Sequence, residues 1–191
     1  MKKATVNGQE ISEEAVRFEL ERLVRFYAGH GVSADEIRKS LPELEEKALE
    51  QAIGAKLLLD RAARLDLPVT AADVDAEVRK VVEQVGGEEN YRKALAAQRV
   101  TEEAFRRELE KGARVNMLVG QACAHVPDPT EEEVAAFYEA NRASYVDEAG
   151  NAQTLVDVHD RIKDLLRHES RGRAMDAYVA ELREGAEIEY R

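Results

Sequence analysis

Residues 126–145 read VPDPTEEEVAAFYEANRASY, a segment that first stops one helix and then starts another. Pro127 and Pro129 cannot continue a helix, and each disfavours the α conformation at the residue before it. Thr130 is placed to accept a hydrogen bond as an N-cap, and Glu133, three residues later, completes the pattern of a capping box. The segment therefore predicts a short helix that begins after Thr130 and ends where the segment ends.

The composition is typical of a charged, aliphatic, helical protein. Of the 191 residues, 35% are charged and 44% are hydrophobic, whereas only 5% are aromatic. The net charge of -11 argues against nucleic acid and anionic lipid as partners, because both are bound through clustered cations. A single cysteine excludes a disulfide within the chain, and no apolar stretch is long enough to insert into a membrane.

Short strand patterns lie at both ends of the chain. Asn7-Gly8 stands between the segments 4–6 and 9–11, and this dipeptide favours the type I′ turn of a β-hairpin. A hairpin this small needs a further element to pack against. Residues 186–191 alternate between apolar and polar and predict a third strand beside the hairpin.

Helical periodicity accounts for most of the chain between these strands. Apolar residues recur three and four positions apart, and a serine or threonine precedes most of the predicted helices. The second helix carries apolar residues on more than one face, so we expect it to be the central, most buried helix. The predicted helices run from Ser12 to Gly29, from Pro42 to Leu65, from Thr70 to Gly86, around Tyr91, from Thr101 to Pro127, and from Leu155 to Arg183.

Three motifs, taken in this order, resemble the chaperone core of the SurA family, which PrsA-like and other parvulin-type (PpiC) peptidyl-prolyl isomerases share. They are the opening segment 6–11, the Leu57-Leu58-Leu59 helix with the following segment 67–74, and the junction 129–141. The resemblance covers nearly the whole chain. It implies a mainly α fold, a multi-helix SurA-N-like core in which a small β element joins the N-terminal hairpin to the C-terminal strand.

In that family the junction helix leads into a parvulin domain of about a hundred residues, a usual domain size. Here the junction reaches Tyr145 and the last helix starts at Leu155, so the resemblance implies a chaperone core without its isomerase domain. We therefore predict a single chaperone-like domain, 1–191, made of an N-terminal helical region 1–126, a junction helix and turn 127–154, and a long helix with a closing strand 155–191.

The sequence offers few candidates for catalysis or metal binding. No two histidines have the i, i+4 spacing of a helical metal site. Cys123 lies on the apolar stripe of its helix without a base that would activate it, as a small core residue does. We expect no catalytic residue, no metal ligand and no cofactor, and we expect the histidines to lie at helix ends and on the surface. They are His30, His125, His159 and His168.

A chaperone of this kind binds its clients through exposed apolar side chains that adapt to different sequences. Phe18 and Phe26 fall off the apolar stripe of the first helix, and Phe18 is the strongest candidate because the pattern places it away from the main stripe. For each aromatic residue the alternative is an ordinary place in the core or a lone exposed apolar side chain. The candidate client-binding residues are Phe18, Phe26, Tyr27, Tyr91, Phe137 and Tyr138.

The resemblance implies an ATP-independent holdase or assembly chaperone that binds unfolded or partly folded polypeptide and is not an enzyme. One alternative is a dedicated maturation or partner-binding subunit for a single protein, or a homodimer. A second alternative is a residual peptidyl-prolyl cis-trans isomerase.

The N-terminus bears on the compartment. Lys2 and Lys3 are not followed by an apolar segment, so residues 1–8 do not form a signal peptide. The sequence as it stands therefore predicts a cytoplasmic protein. The alternative is a periplasmic or other extracytoplasmic protein whose export signal has been removed.

Overall fold

The computed structural model describes residues 2–65, 67–147 and 150–191, which form a mainly helical fold with a small antiparallel sheet, as expected. The strands are β1 (Ala4–Val6), β2 (Gln9–Glu10) and β3 (Ile188–Tyr190). The helices among these residues are α1 (Glu13–Gly29), α2 (Ala34–Lys39), α3 (Leu41–Arg64), α4 (Ala71–Gln84), α5 (Glu88–Gln98), α6 (Glu102–Ala122), α7 (Glu131–Asn141) and α8 (Leu155–Glu184), and a 3-10 turn (Arg142–Ser144) follows α7.

The sheet joins the two ends of the chain in the order β2-β1-β3. Asn7 and Gly8 have φ angles of 50° and 76°, which a tight hairpin turn requires. Thr5 lies opposite Glu10 on one side and Glu189 on the other. The predicted hairpin and its third strand are therefore confirmed.

The described residues group into two compact units. Unit 1 comprises Met1–Val119 and Val179–Arg191, and unit 2 comprises Gly120–Tyr178. The prediction of a single domain made of three segments stays a prediction. None of the helices in the described ranges is long and apolar enough to cross a membrane.

Unit 1 is built around α3, which the sequence predicted to be the most buried helix. Eight residues of α3 are buried, among them Ile53 at 0% exposure. Five of these residues pack with α1 and with β1 in one aliphatic cluster. Its buried members are Ala4, Val6, Ile11, Val16, Ala48, Leu49, Ala52, Ile53 and Leu57.

Helix α2 was missed by the sequence analysis, which treated residues 29–41 as a break between two helices. Ser33 and Glu36 form a full capping box there, with the Ser33 hydroxyl 2.6 Å from the Glu36 carboxylate. A helix of six residues has room for one buried side chain, Ile37, and so shows no apolar period. The capping residues were its only local signal.

Unit 2 contains the junction segment, and the structure confirms its capping box. The Thr130 amide donates to the Glu133 carboxylate at 2.8 Å, and the Glu133 amide donates to the Thr130 hydroxyl at 3.2 Å. Val134 and Tyr138 of α7 then pack against α8. The buried cluster of unit 2 consists of Val134, Tyr138, Val158 and Ile162.

The connection between α7 and α8 reverses the chain within a few residues. Val146 and Ala152 form an isolated antiparallel bridge, and the Gln153 amide donates to the Tyr145 carbonyl at 2.9 Å. Glu148 and Ala149, which belong to the predicted turn, lie outside the described residues. The described residues before and after this gap thus pair with each other across a short turn, at the place where an inserted domain would stand.

Candidate polypeptide-binding surface

Two phenylalanines of α1 are the most exposed of the candidate residues. Phe18 is 59% exposed and Phe26 is 56% exposed, while Val16 on the other side of the helix is buried against α3. Eight residues of a helix at 100° per residue bring the two rings about 80° apart around the axis. Phe18 and Phe26 therefore share the outer side of α1, as the sequence analysis predicted for both.

Tyr27 lies at the end of α1, beside a cavity of about 180 Å³ that α1, α2 and α3 enclose. The apolar lining comes from Val32, Ile37 and Leu44, and Glu36 lies among the polar groups. Since α2 supplies part of the wall, the sequence analysis had no means of finding this cavity.

Phe26 connects the cavity residue Tyr27 to the outer side of α1. Its ring lies edge-on to Tyr27 with a centroid distance of 5.6 Å. The centroid of the His30 ring lies 4.1 Å from that of Phe26, and His30 Nδ1 donates to the Phe26 carbonyl at 2.8 Å. These contacts hold the Phe26 ring in place, although more than half of the residue stays exposed to solvent. Such a ring is preorganised for an apolar contact, because little side-chain freedom is left to be lost on binding.

Tyr91 lies in the core, which favours the alternative that was given for each aromatic residue over its assignment as a client contact. It is only 3% exposed and lies edge-on to Phe105 at a centroid distance of 5.7 Å. Burial raises the pKa of its hydroxyl, with Glu102 acting in the same direction. An unfolded chain has no access to this ring unless α5 moves.

Tyr138 lies in the core as well, and the same alternative is favoured for it. It is 5% exposed, its hydroxyl donates to the Gln153 carbonyl at 2.7 Å, and its ring stacks on Tyr145 at 5.8 Å. Phe137, one residue earlier, is half-buried and packs against the same cluster. Both aromatic residues of α7 were named as candidate client contacts because of their size. The helical spacing, however, directs the Tyr138 side chain towards the buried cluster of unit 2.

Cys123 and His159 are placed by packing and by ion pairs, respectively. Cys123 is 9% exposed, and its thiol lies 3.9 Å from the Arg171 carbonyl. Over the described ranges, no cluster of three histidine, cysteine, aspartate or glutamate side chains has the arrangement of a metal site. His159 contacts Asp160 and Glu131 at 2.8 and 2.6 Å, and this placement is that of a charged surface group.

A group of ion pairs in unit 2 was not predicted. Glu131 at the start of α7 accepts from both His159 and Lys163 of α8, and Asp128 accepts from Arg167 at 2.8 Å. The spacing of these three cations, i, i+4 and i+8, puts them on one side of α8 and was readable in the sequence. We call these contacts the unit 2 ion pairs.

Hydrogen bonds and opposite charge set the ionisation of the unit 2 ion pairs. Lys163 and then His159 hold the pKa of Glu131 below its ordinary value. Asp160 and then Glu131 raise the pKa of His159. Arg167 lowers the pKa of Asp128. Each group is thus held in its charged form over a wider pH range than in a free chain.

Comparison with known proteins places this fold in a family. The family model described as the SurA-like N-terminal domain matches residues 2–119, which is more than half of the chain. No curated protein sequence matches this chain.

A solved structure shares the fold over the full length. That structure belongs to a study of Campylobacter jejuni. The study describes the virulence factor PEB4 and the periplasmic protein Cj1289 as two structurally related SurA-like chaperones. The alignment covers 100% of this chain and 98% of that chain, with a TM-score of 0.63 and 13% sequence identity. The chain belongs to the SurA-like N-terminal domain family, and the resemblance found in its sequence motifs is confirmed.

Proposed function

We propose that the protein is an ATP-independent chaperone that binds unfolded or partly folded polypeptide. One observation carries the proposal: α1 exposes Phe18 and Phe26 by 59% and 56% in a chain of the SurA-like family. A folded protein rarely leaves two such rings on one side of a helix without a partner. The adjoining cavity beside Tyr27 offers a place for an apolar client side chain.

The mechanism that we propose is mass action. Binding lowers the concentration of free unfolded chains and so slows their aggregation. Affinity of micromolar order is sufficient, because a flexible client pays ordering entropy for contacts of low specificity. The net charge of -11 keeps the chaperone soluble although it exposes apolar rings.

Catalysis of prolyl isomerisation is not included in this proposal. The family's isomerase domain would stand between Tyr145 and Leu155, where the chain has only the short turn. A proline-peptide isomerisation assay tests this point. A rate well above the uncatalysed rate would favour the residual-isomerase alternative.

The test of the chaperone function is the aggregation of a chemically denatured model client, followed by light scattering. We expect the wild-type protein to suppress aggregation at a few-fold molar excess. The double variant Phe18→Ser, Phe26→Ser should lose most of this effect with an unchanged unfolding midpoint, since both side chains are surface groups.

Val156→Ser is the matched control. Val156 is 86% exposed but belongs to unit 2, outside the proposed surface. This variant should suppress aggregation as the wild type does. Absence of suppression by the wild-type protein would contradict the chaperone function, and equal loss in both variants would contradict the assignment to α1.

A dedicated partner-binding subunit is the alternative outcome, and a pull-down from the host decides it. A spread of captured proteins supports the general chaperone, whereas one stoichiometric protein supports the dedicated subunit. A homodimer stays a prediction, which sedimentation at several concentrations would test.

We further propose an extracytoplasmic location. Cj1289 is described as a periplasmic protein, which supports the second of the two expected locations over the cytoplasmic one. Fractionation of the host, with antibodies against the protein, distinguishes the two compartments.

A further inference from the structure

Asn7 and Gly8 form the turn between β1 and β2, in the sheet where the two ends of the chain meet. Both residues are exposed. Apart from the two chain neighbours of Gly8, no heavy atom lies within 4 Å of the position that a Cβ of this glycine would take. The turn thus presents an asparagine side chain and the following backbone amide to solvent, and these are the two groups that react in asparagine deamidation.

Deamidation at this turn would begin with attack of the Gly8 backbone nitrogen on Cγ of the Asn7 side chain. The new N–Cγ bond closes a succinimide ring, the Cγ–Nδ2 bond breaks, and the side-chain nitrogen leaves as ammonia with the proton of the Gly8 amide. Water then adds to either carbonyl of the ring, which opens to aspartate or to isoaspartate. A glycine in the second position favours the attack, because it has no Cβ that would obstruct it.

The nucleophile and the water that this chemistry needs are both available at the turn. The Gly8 amide donates to no acceptor in the part of the chain that the structure describes, so no hydrogen bond has to be broken to free it. Asn7 also lines a cavity of about 200 Å³ together with Arg61 and Glu181. A cavity of this size with polar walls has room for water.

The C-terminal end of the chain restrains the reaction. The backbone amide of Glu187, just before β3, donates to Asn7 Oδ1 at 3.0 Å, and the Asn7 amide donates to the Glu187 carbonyl at 2.7 Å. The Asn7 side chain must leave Glu187 before its Cγ can move towards the Gly8 nitrogen, because the first of these bonds fixes its torsion angles. Release of β3 therefore removes the restraint.

Isoaspartate at residue 7 would in turn weaken the sheet. In this product the backbone passes through the Cβ atom and is longer by a methylene, so the turn no longer fits the register of β1 with its neighbours. Ile188 of β3 packs against the aliphatic cluster of unit 1 and depends on that register. Aspartate keeps the original backbone and an acceptor oxygen for Glu187, so it should preserve the sheet.

We propose that Asn7 is a deamidation site that β3 keeps in check, and that isoaspartate at this position releases β3 from the sheet. The overall reaction consumes water and yields ammonia, and it requires no enzyme. The modification marks molecules whose chain ends have separated, and it prevents those ends from pairing again. This inference is independent of the proposed client binding.

Incubation of the full-length protein in mildly alkaline buffer, followed by peptide mass spectrometry, tests the site. The internal controls are asparagines that precede larger residues, namely Asn90, Asn116, Asn141 and Asn151. We expect Asn7 to deamidate roughly tenfold faster than any of them, because only Gly8 leaves the attacking amide unobstructed. A rate at Asn7 no greater than the control rates would overturn the assignment.

Two variants test the restraint by β3. Glu187→Pro removes the donor to Asn7 Oδ1 but keeps the carbonyl that accepts from Asn7. Ile188→Ser weakens the packing of β3 without changing the turn, and it keeps the test decisive if the proline variant does not fold. Each folded variant should raise the Asn7 rate several-fold and leave the Asn151 rate unchanged. An unchanged Asn7 rate would contradict the role of β3.

The effect of the product is measured on the deamidated fraction, which ion exchange isolates. Amide hydrogen exchange should show lost protection of the Lys3 and Arg191 amides, which pair β1 with β3, in proportion to the isoaspartate content of that fraction. Asn7→Asp is the matched control, since it adds the same charge to a backbone of the original length, and it should keep the wild-type protection. Wild-type protection in the isoaspartyl molecules would overturn the release of β3.

Discussion

The two units of the molecule are stabilised by different means. Unit 1 has nine buried members in its aliphatic cluster, centred on α3. Unit 2 has four, and it adds the Tyr138 hydrogen bond and the unit 2 ion pairs around that smaller cluster. Unit 1 also has ion pairs between its elements, such as Arg106 with Asp75 and Arg183 with Glu50, but its aliphatic cluster is more than twice as large. Apolar burial therefore has the greater share in unit 1, and polar contacts have a greater share in unit 2.

This difference has consequences for where a client is bound. Apolar burial responds little to pH or salt, whereas exposed ion pairs are screened by salt and titrate. The surface of α1 that we propose to bind clients lies in unit 1, on a helix that the aliphatic cluster holds in place. We therefore expect client binding to tolerate changes of pH and salt that alter unit 2.

The largest expected effect comes from Ile53→Ala, which removes a fully buried side chain at the centre of unit 1. The substitution should lower the free energy of unfolding by about 2–5 kcal/mol, since the lost transfer energy and the new cavity add up. Urea denaturation followed by circular dichroism measures it.

Ile162→Ala, equally buried in unit 2, is the counterpart. Its smaller cluster should relax more easily around the missing atoms, so the cost should be less than that of Ile53→Ala. Amide hydrogen exchange should show the loss of protection confined to α7 and the adjoining turns of α8. An equal cost in both units would remove the contrast between them.

A smaller effect is expected from two Tyr→Phe substitutions that share the same chemistry. Tyr138→Phe removes a hydroxyl that donates to the Gln153 carbonyl, and it should cost about 0.5–1.5 kcal/mol. Tyr91→Phe removes a buried hydroxyl that has no partner in the described segments of the chain, and it should be neutral or stabilising. Urea midpoints of the two variants decide, and a greater loss from Tyr91→Phe would contradict the hydrogen-bonding roles assigned here.

The smallest effect concerns pH and His159. Because its pKa is raised above the unfolded value of about 6.5, its contribution to stability is fully present below that pH. The contribution is lost as pH rises through the folded pKa. The thermal midpoint of the wild type should therefore fall over this window, and that of His159→Gln should fall less.

His168→Gln is the matched control, since His168 is an exposed residue of the same helix. It should keep the pH dependence of the wild type. A proton NMR titration of the His159 ring should give a midpoint above that of an unfolded peptide. A midpoint at or below that value would rule out the pairing with Glu131 and Asp160.

Elements with strong local signals were predictable from the sequence. The Asn7-Gly8 hairpin and the Thr130 capping box are both present where their residue types indicated. Helix α2 was not predicted, because six residues hold no apolar period. Phe18 and Phe26 were predicted to be exposed from their position off the α1 stripe, and both are.

The candidate site was less predictable than the fold. Tyr91 and Tyr138 were candidate client contacts because of their size, and the packing of α5 and α7 buries them. The cavity beside Tyr27 was not foreseen, because α2, which supplies part of its wall, was not predicted. When an aromatic residue has no clear position in the apolar period, the neighbouring sequence does not indicate what it packs against.

The amino-acid order settles the local structure of this protein, because caps, turns and helical period act within a few residues of one another. It also reveals the family and the short turn that stands where an isomerase domain would be inserted. The burial of Tyr91 and the ion pairs of Glu131 follow from the tertiary packing instead. Each depends on side chains from separate helices, and the distance between those helices is set by the whole core.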